Sequence, residues 1–135
     1  MIPEITINIC GQEVLMRYCA ASETGFEQLT GHSAAVFEYT LEKDEDGKDK
    51  LVPPAATAGD YIHLAWASIA AAYLKQGDKQ PPLTLANVLC DTTPAEAKEL
   101  IVKVIELRNK WYEVPEVAAK DQDAQPEDGE KPKNA

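Results

Sequence analysis

Residues Tyr61–Leu74 read Tyr-Ile-His-Leu-Ala-Trp-Ala-Ser-Ile-Ala-Ala-Ala-Tyr-Leu, a stretch with no carboxylate, lysine or arginine. A surface helix carries one apolar stripe, but this one is apolar nearly all the way round, so it needs neighbours on several sides. Its alanines allow those neighbours to come close. The stretch is too short and too alanine-rich to span a bilayer. The chain is therefore expected to wrap around one central helix, capped by Thr57 or Asp60 and ended by Gly77.

The N-terminal segment supplies the first partner. Ile5, Ile7 and Ile9 alternate with Thr6 and Asn8, and Val14, Met16 and Tyr18 alternate with Leu15 and Arg17. Period-two patterning of this kind marks half-buried strands. A β-hairpin is predicted over residues 4–19, with Gly11-Gln12 as a type II′ turn. Thr24 with Glu27 then fits a capping box and Gly31 a helix stop, predicting a helix of about two turns on which Phe26 and Leu29 share a face. Residues 34–41 have strand-like composition and fit either a strand pairing with the hairpin or a short helix. The charged run Glu42–Lys50, centred on Asp46-Gly47, is either an exposed hairpin tip or a mobile loop.

Two more helices follow. Thr84 N-caps a short one, and Thr93-Pro94-Ala95-Glu96 is a helix start with the cap, proline and acid in their preferred places. That last helix runs to about Tyr112. Its buried stripe is Ala97, Leu100, Ile101, Val104, Leu107 and Trp111, with Glu99–Lys103 and Glu106–Lys110 as pairs on the exposed face. The expected class is α+β: an N-terminal β-hairpin followed by a small, mostly helical bundle of about four helices, in one domain over residues 1–114. Residues 115–135 form an acidic tail whose one bulky apolar residue beyond Glu116 is Val117. Such a segment cannot bury enough surface to offset its ordering entropy and is expected to be disordered.

Composition narrows the function. Thirteen basic against 23 acidic residues give a net charge of −10. That argues against nucleic acid, whose phosphates need clustered Lys and Arg, and against an anionic membrane surface. It suits neutral or basic protein partners, or simple solubility. The odd set Cys10, Cys19 and Cys90 is no disulfide framework. Each lies among apolar neighbours and reads as a small buried hydrophobe, which suits a reducing cytoplasm. The start Met1-Ile2-Pro3-Glu4 lacks the pattern of a signal peptide.

No chemistry-bearing motif emerges. His32 lies in a loop and His63 inside the apolar helix, where it reads as a satisfied core residue. The Cys and His spacings fit no metal site, and no glycine-rich phosphate loop is present. Asp44-Glu45-Asp46 and Asp49 belong to a solvated loop. The expectation is a protein with no enzyme activity, cofactor or metal. Aromatic residues remain: Trp66, Tyr73, Trp111 and Tyr112 all fall on helices. At helical spacing aromatics usually serve the core, but they are also the usual anchors of interfaces. Tyr73, Trp111 and Tyr112 are the candidate protein-binding residues, the last two because packing thins at the helix end.

Taken in order, these pieces resemble the small tail assembly chaperones of long-tailed bacteriophages and of related gene-transfer agents. The resemblance covers roughly residues 5–112. It rests on the step Leu15-Met16-Arg17-Tyr18, the helix Gly25-Phe26-Glu27-Gln28-Leu29-Thr30-Gly31, the Leu64-Ala65-Trp66-Ala67-Ser68 core and the Pro82-Leu83-Thr84 helix start. The long charged stretch at 42–58 departs from it. The resemblance implies no catalysis. It implies binding of the tape-measure protein and of the tail-tube protein in the bacterial host cytoplasm, holding them soluble until the tail forms. The alternative is a structural or adaptor component of a phage particle, such as a connector or minor tail protein. Neither reading fixes an oligomeric state.

Overall fold

The computed structural model describes residues 2–77 and 80–113. The expected acidic tail at 115–135 lies outside the described residues. The elements in order are β1 (Glu4–Ile9), β2 (Gln12–Arg17), α1 (Ala20–Thr30), a 3-10 turn (Ala34–Phe37), β3 (Thr40–Lys43), β4 (Asp49–Val52), α2 (Ala58–Lys75), α3 (Leu85–Cys90) and α4 (Pro94–Tyr112). This is the α+β arrangement of an N-terminal hairpin followed by four helices, with a second hairpin between α1 and α2.

The all-round apolar helix is the centre, as its sequence demands. α2 packs against α1, α3, α4 and β2. Leu64, Ala65, Ile69 and Ala72 on it are fully buried. Asp60 and Thr57 cap it reciprocally: Thr57 N–H donates to Asp60 Oδ2 (3.0 Å), and Asp60 N–H to Thr57 Oγ1 (3.1 Å). Thr84 with Asn87 and Thr93 with Glu96 repeat the device on α3 and α4. Each reciprocal pair satisfies two backbone donors that a helix start otherwise leaves open.

β1 and β2 pair antiparallel, with Ile7 opposite Val14 and Ile9 opposite Gln12. Ile7, Ile9, Val14 and Met16 form the buried face. The connection is Cys10-Gly11, with φ of 51° and 72°, and not the expected Gly11-Gln12. Positive φ at both central positions makes it a type I′ turn, whose twist matches the strands. Both turns put the same isoleucines on the same face as Val14 and Met16, so the alternation could not choose between them. Tertiary contacts hold Cys10 in this uncommon conformation: its N–H donates to Glu96 Oε2 at 3.0 Å, and its thiol lies 3.8 Å from the Asn87 carbonyl.

α1 begins four residues before the expected cap at Thr24 and makes three turns, not two. Ser22 fixes its start: Ser22 Oγ accepts from Cys19 N–H (3.1 Å) and donates to the Arg17 carbonyl (2.9 Å). Glu27, expected in a capping box, instead accepts from Ala34 N–H at 2.8 Å. Gly31 ends the helix as expected, in the left-handed region at φ 75°. Phe26 is fully buried, while Leu29 is 41% exposed.

Residues 34–41 turn out to hold both a 3-10 turn and a strand. Phe37 of the turn is buried with its ring 4.8 Å from that of Phe26. β3 pairs with β4 in a sheet of its own, separate from β1–β2, and the charged run is that hairpin's tip.

Three other expectations are corrected. None of the three cysteines is fully buried as expected: Cys90, in the last turn of α3, is exposed, and Cys10 and Cys19, beside the strand ends, are half-buried; all three are free thiols. His63 is half-exposed, not a core residue, and its Nδ1 lies 2.8 Å from the Gly59 carbonyl one turn back. On α4, Leu100, Val104 and Leu107 are buried as expected, but Glu106 pairs with Lys103 (3.5 Å), which also reaches Glu99 (3.9 Å), and not with Lys110. Among the described residues, no helix is long and apolar enough to cross a membrane.

Candidate functional site

α1 and α2 approach closely because small residues face each other. A Cβ added at Gly25 would stand 3.2 Å from the Cβ of Ala67, closer than nearly all real contacts of this type. Ala21, Gly25, Ala67 and Ala70 thus sink the surface between the helices, and longer residues stand at its sides. The result is a groove of about 490 Å³ whose lining includes Leu29, Trp66 and Leu74. Leu74 is 65% exposed. A second hollow of about 440 Å³ shares Leu29 and Trp66 and runs on to Pro81, Leu83 and Leu85. The two form one trough from α2 to the start of α3. The indole of Trp66 is fixed in it by donating to the Leu83 carbonyl at 3.4 Å.

Among the described residues no ionisable side chain lines either hollow; the polar groups there are those of Thr24, Gln28, Gln80 and Thr84. The trough's chemistry suits apolar side chains presented by a partner, as when an amphipathic helix lies in a groove.

The aromatic residues predicted to bind protein lie elsewhere, and none of them lines the trough. Tyr73 is half-buried, and its hydroxyl accepts the Leu15 N–H at 3.2 Å, tying α2 to β2. Trp111 packs on the buried Tyr18, with ring centroids 5.4 Å apart. Tyr112 is half-exposed and next to Trp111 (5.0 Å), so these two share one corner of the molecule while Tyr73 does not.

That corner is a polar clamp. The Glu23 carboxylate accepts from Tyr18 (2.7 Å) and from Tyr112 (2.8 Å), and Arg108 Nε lies 3.6 Å from it. The Arg108 guanidinium stacks on the Tyr112 ring at 4.5 Å. Burial, reinforced by the hydrogen bond to Glu23, pushes the Tyr18 phenol far up and that of Tyr112 up to about 12. Both phenols stay protonated donors at ordinary pH, so the group ties α4 to α1 and to the segment just after β2.

Cys10, His32 and Asp60 have structural partners. The Cys10 thiol is pushed up by burial and by the negative charges of Glu96 and Asp91, which disfavours the reactive thiolate. His32 Nδ1 meets Asp60 Oδ1 at 3.1 Å. Burial raises the Asp60 carboxyl, but the Thr57 N–H and the His32 ring outweigh it and hold it below the usual range. That pair completes the cap of α2. Among the described residues, no three His, Cys, Asp or Glu side chains are grouped to hold a metal.

Sequence reasoning missed the trough. Its signal was present in the small residues at 21 and 25 of one helix and at 67 and 70 of the other. Their meaning depends on those two faces meeting, which no local pattern states. Compared with known proteins, the chain matches no family model, no curated protein and no solved structure.

Proposed function

We propose that this protein works by binding alone, as a tail assembly chaperone of a phage or prophage that shields apolar helical segments of the tape-measure protein. The observation that supports this is the trough between α1 and α2, continued to α3, with Leu29, Leu74 and Trp66 presented along it and no charged side chain among the described residues of its lining. An apolar helix face laid there would gain burial of leucine and indole surface at about 25 cal/mol per Å². The acidic remainder of the surface would keep the complex in solution. The motif order along residues 5–112 supports the same reading.

The test is co-expression with the tape-measure protein of the same phage or prophage. The soluble yield of that protein should rise, and Leu29→Glu with Leu74→Glu should cancel the rise, because both side chains are exposed and their replacement spares the core. An unchanged yield with the unmodified chain would end the proposal. Mass spectrometry of purified particles separates it from the structural alternative: a chaperone is absent from them and a connector or minor tail protein is present.

A further inference from the structure

The second hairpin has a face that nothing in the described chain covers. Leu41 and Leu51 stand directly opposite each other in the β3–β4 register and are 68% and 60% exposed. Tyr39, two residues before Leu41, is 63% exposed. Leu41 and Leu51, opposite in the register, therefore share one side of the hairpin, and Tyr39 stands exposed just ahead of β3. Both outer edges of this two-stranded sheet are unpaired among the described residues. Open edges and an apolar stripe together form a template for strand addition.

Charge selects the occupant. Between residues 38 and 52 the chain has six acidic and three basic residues. Lys43 is already neutralised by Asp49 at 2.8 Å, and Lys50 lies opposite Glu42 in the register. Glu38, Asp44, Glu45 and Asp46 remain against Lys48. A second copy would bring like charge to like, from a chain of net charge −10. A segment with basic residues beside alternating apolar ones meets both the stripe and the charge.

We propose that β3–β4 is a docking arm, separate from the trough, that takes up a basic, apolar-alternating segment of a partner protein as an added strand. The probe is a labelled eight-residue peptide of alternating lysine and isoleucine, titrated into the full chain and followed by fluorescence anisotropy and amide chemical shifts. Shifts should be confined to residues 38–52. Replacing the peptide's lysines by glutamates should weaken binding at least about tenfold, as should Leu41→Ser with Leu51→Ser in the protein. Glu45→Lys with Asp46→Lys, in the turn and outside both strands, should weaken it without disturbing strand pairing. Absence of binding overturns the proposal. So does equal affinity for the two peptides, or shifts centred on the trough. Concentration-dependent self-association abolished by Leu51→Ser would assign the face to a second copy and overturn it as well.

Discussion

The molecule contains two hairpins built from similar parts and used in opposite ways. β1–β2 and β3–β4 are both antiparallel pairs with a glycine of positive φ at the tip. The first buries Ile7, Ile9, Val14 and Met16 against the helices. Its tip is held by Glu96 of α4 and its second strand by Tyr73 of α2. The second hairpin has no buried residue in either strand. Its tip is held by its own Asp44, whose Oδ1 accepts from Asp46 N–H and Lys48 N–H at 2.9 Å. It is tied at its foot by Ala56 N–H donating to the Val36 carbonyl at 3.0 Å. Two strands alone are at best marginally stable in water. The comparison shows that a hairpin's contribution comes from the face it buries, and that its turn chemistry sets only where it bends.

The two hairpins should respond differently to substitution at several points. The largest effect is expected from deleting a buried side chain. Met16→Ala leaves a cavity beneath β2 and should cost about 2–5 kcal/mol in urea unfolding, whereas Leu51→Ala should change global stability by less than about 0.5 kcal/mol. A large global loss from Leu51→Ala would mean that the second hairpin is coupled to the core.

Glu96 is the next point. It closes the α4 cap by accepting Thr93 N–H (2.9 Å) and clamps the first hairpin's tip through Cys10. Glu96→Ala should cost about 1–3 kcal/mol, more than loss of a helix cap alone. Thermal unfolding of Glu96→Ala beside Thr93→Ala measures the difference.

A matched pair of glycines sharpens the contrast. Gly11 (φ 72°) and Gly47 (φ 79°) both have open space where a Cβ would go, so alanine meets the same backbone strain of about 1–2 kcal/mol at each. Gly11→Ala should lower the global unfolding free energy by about that amount. Gly47→Ala should leave it unchanged and raise only the amide exchange rates of residues 40–52.

The smallest effect concerns the cap where the second hairpin runs into α2. Asp60 is held below the usual carboxylate range in the folded state, so the folded protein binds its proton less readily than the unfolded chain does. Its contribution is present above the ordinary carboxylate pKa and fades as pH falls through that range towards Asp60's own lower value. Asp60→Asn should flatten this acid limb of the stability curve, measured by urea unfolding from pH 6 down to about pH 3.

Much of the fold was legible because its signals are local. The caps Thr57, Thr84 and Thr93, the stop at Gly31 and the stripe on α4 each depend on residues within one or two turns of one another. The start of α1 and the first hairpin's turn were read differently because side chains outside each local pattern fix them. Ser22 opens α1 by reaching the Arg17 carbonyl, and Cys10 tolerates its left-handed backbone because Glu96 lies 86 residues further on and holds it. Of the candidate site residues, their positions on helices were legible but their partners were not. Tyr73 and Trp111 are committed to β2 and Tyr18, which no spacing along the chain reveals.

The amino-acid sequence by itself determined that α2 is central, that one hairpin has a buried face, and that the charged run at 42–50 stays in water. These follow from the period and polarity of short segments, which bind each residue's burial to its neighbours in the chain. Only the tertiary structure decided that Gly25 and Ala67 meet, that a trough opens between their helices, and that Leu41 and Leu51 are left uncovered. Those depend on which faces come together, and packing, not local preference, selects among faces that are equally apolar.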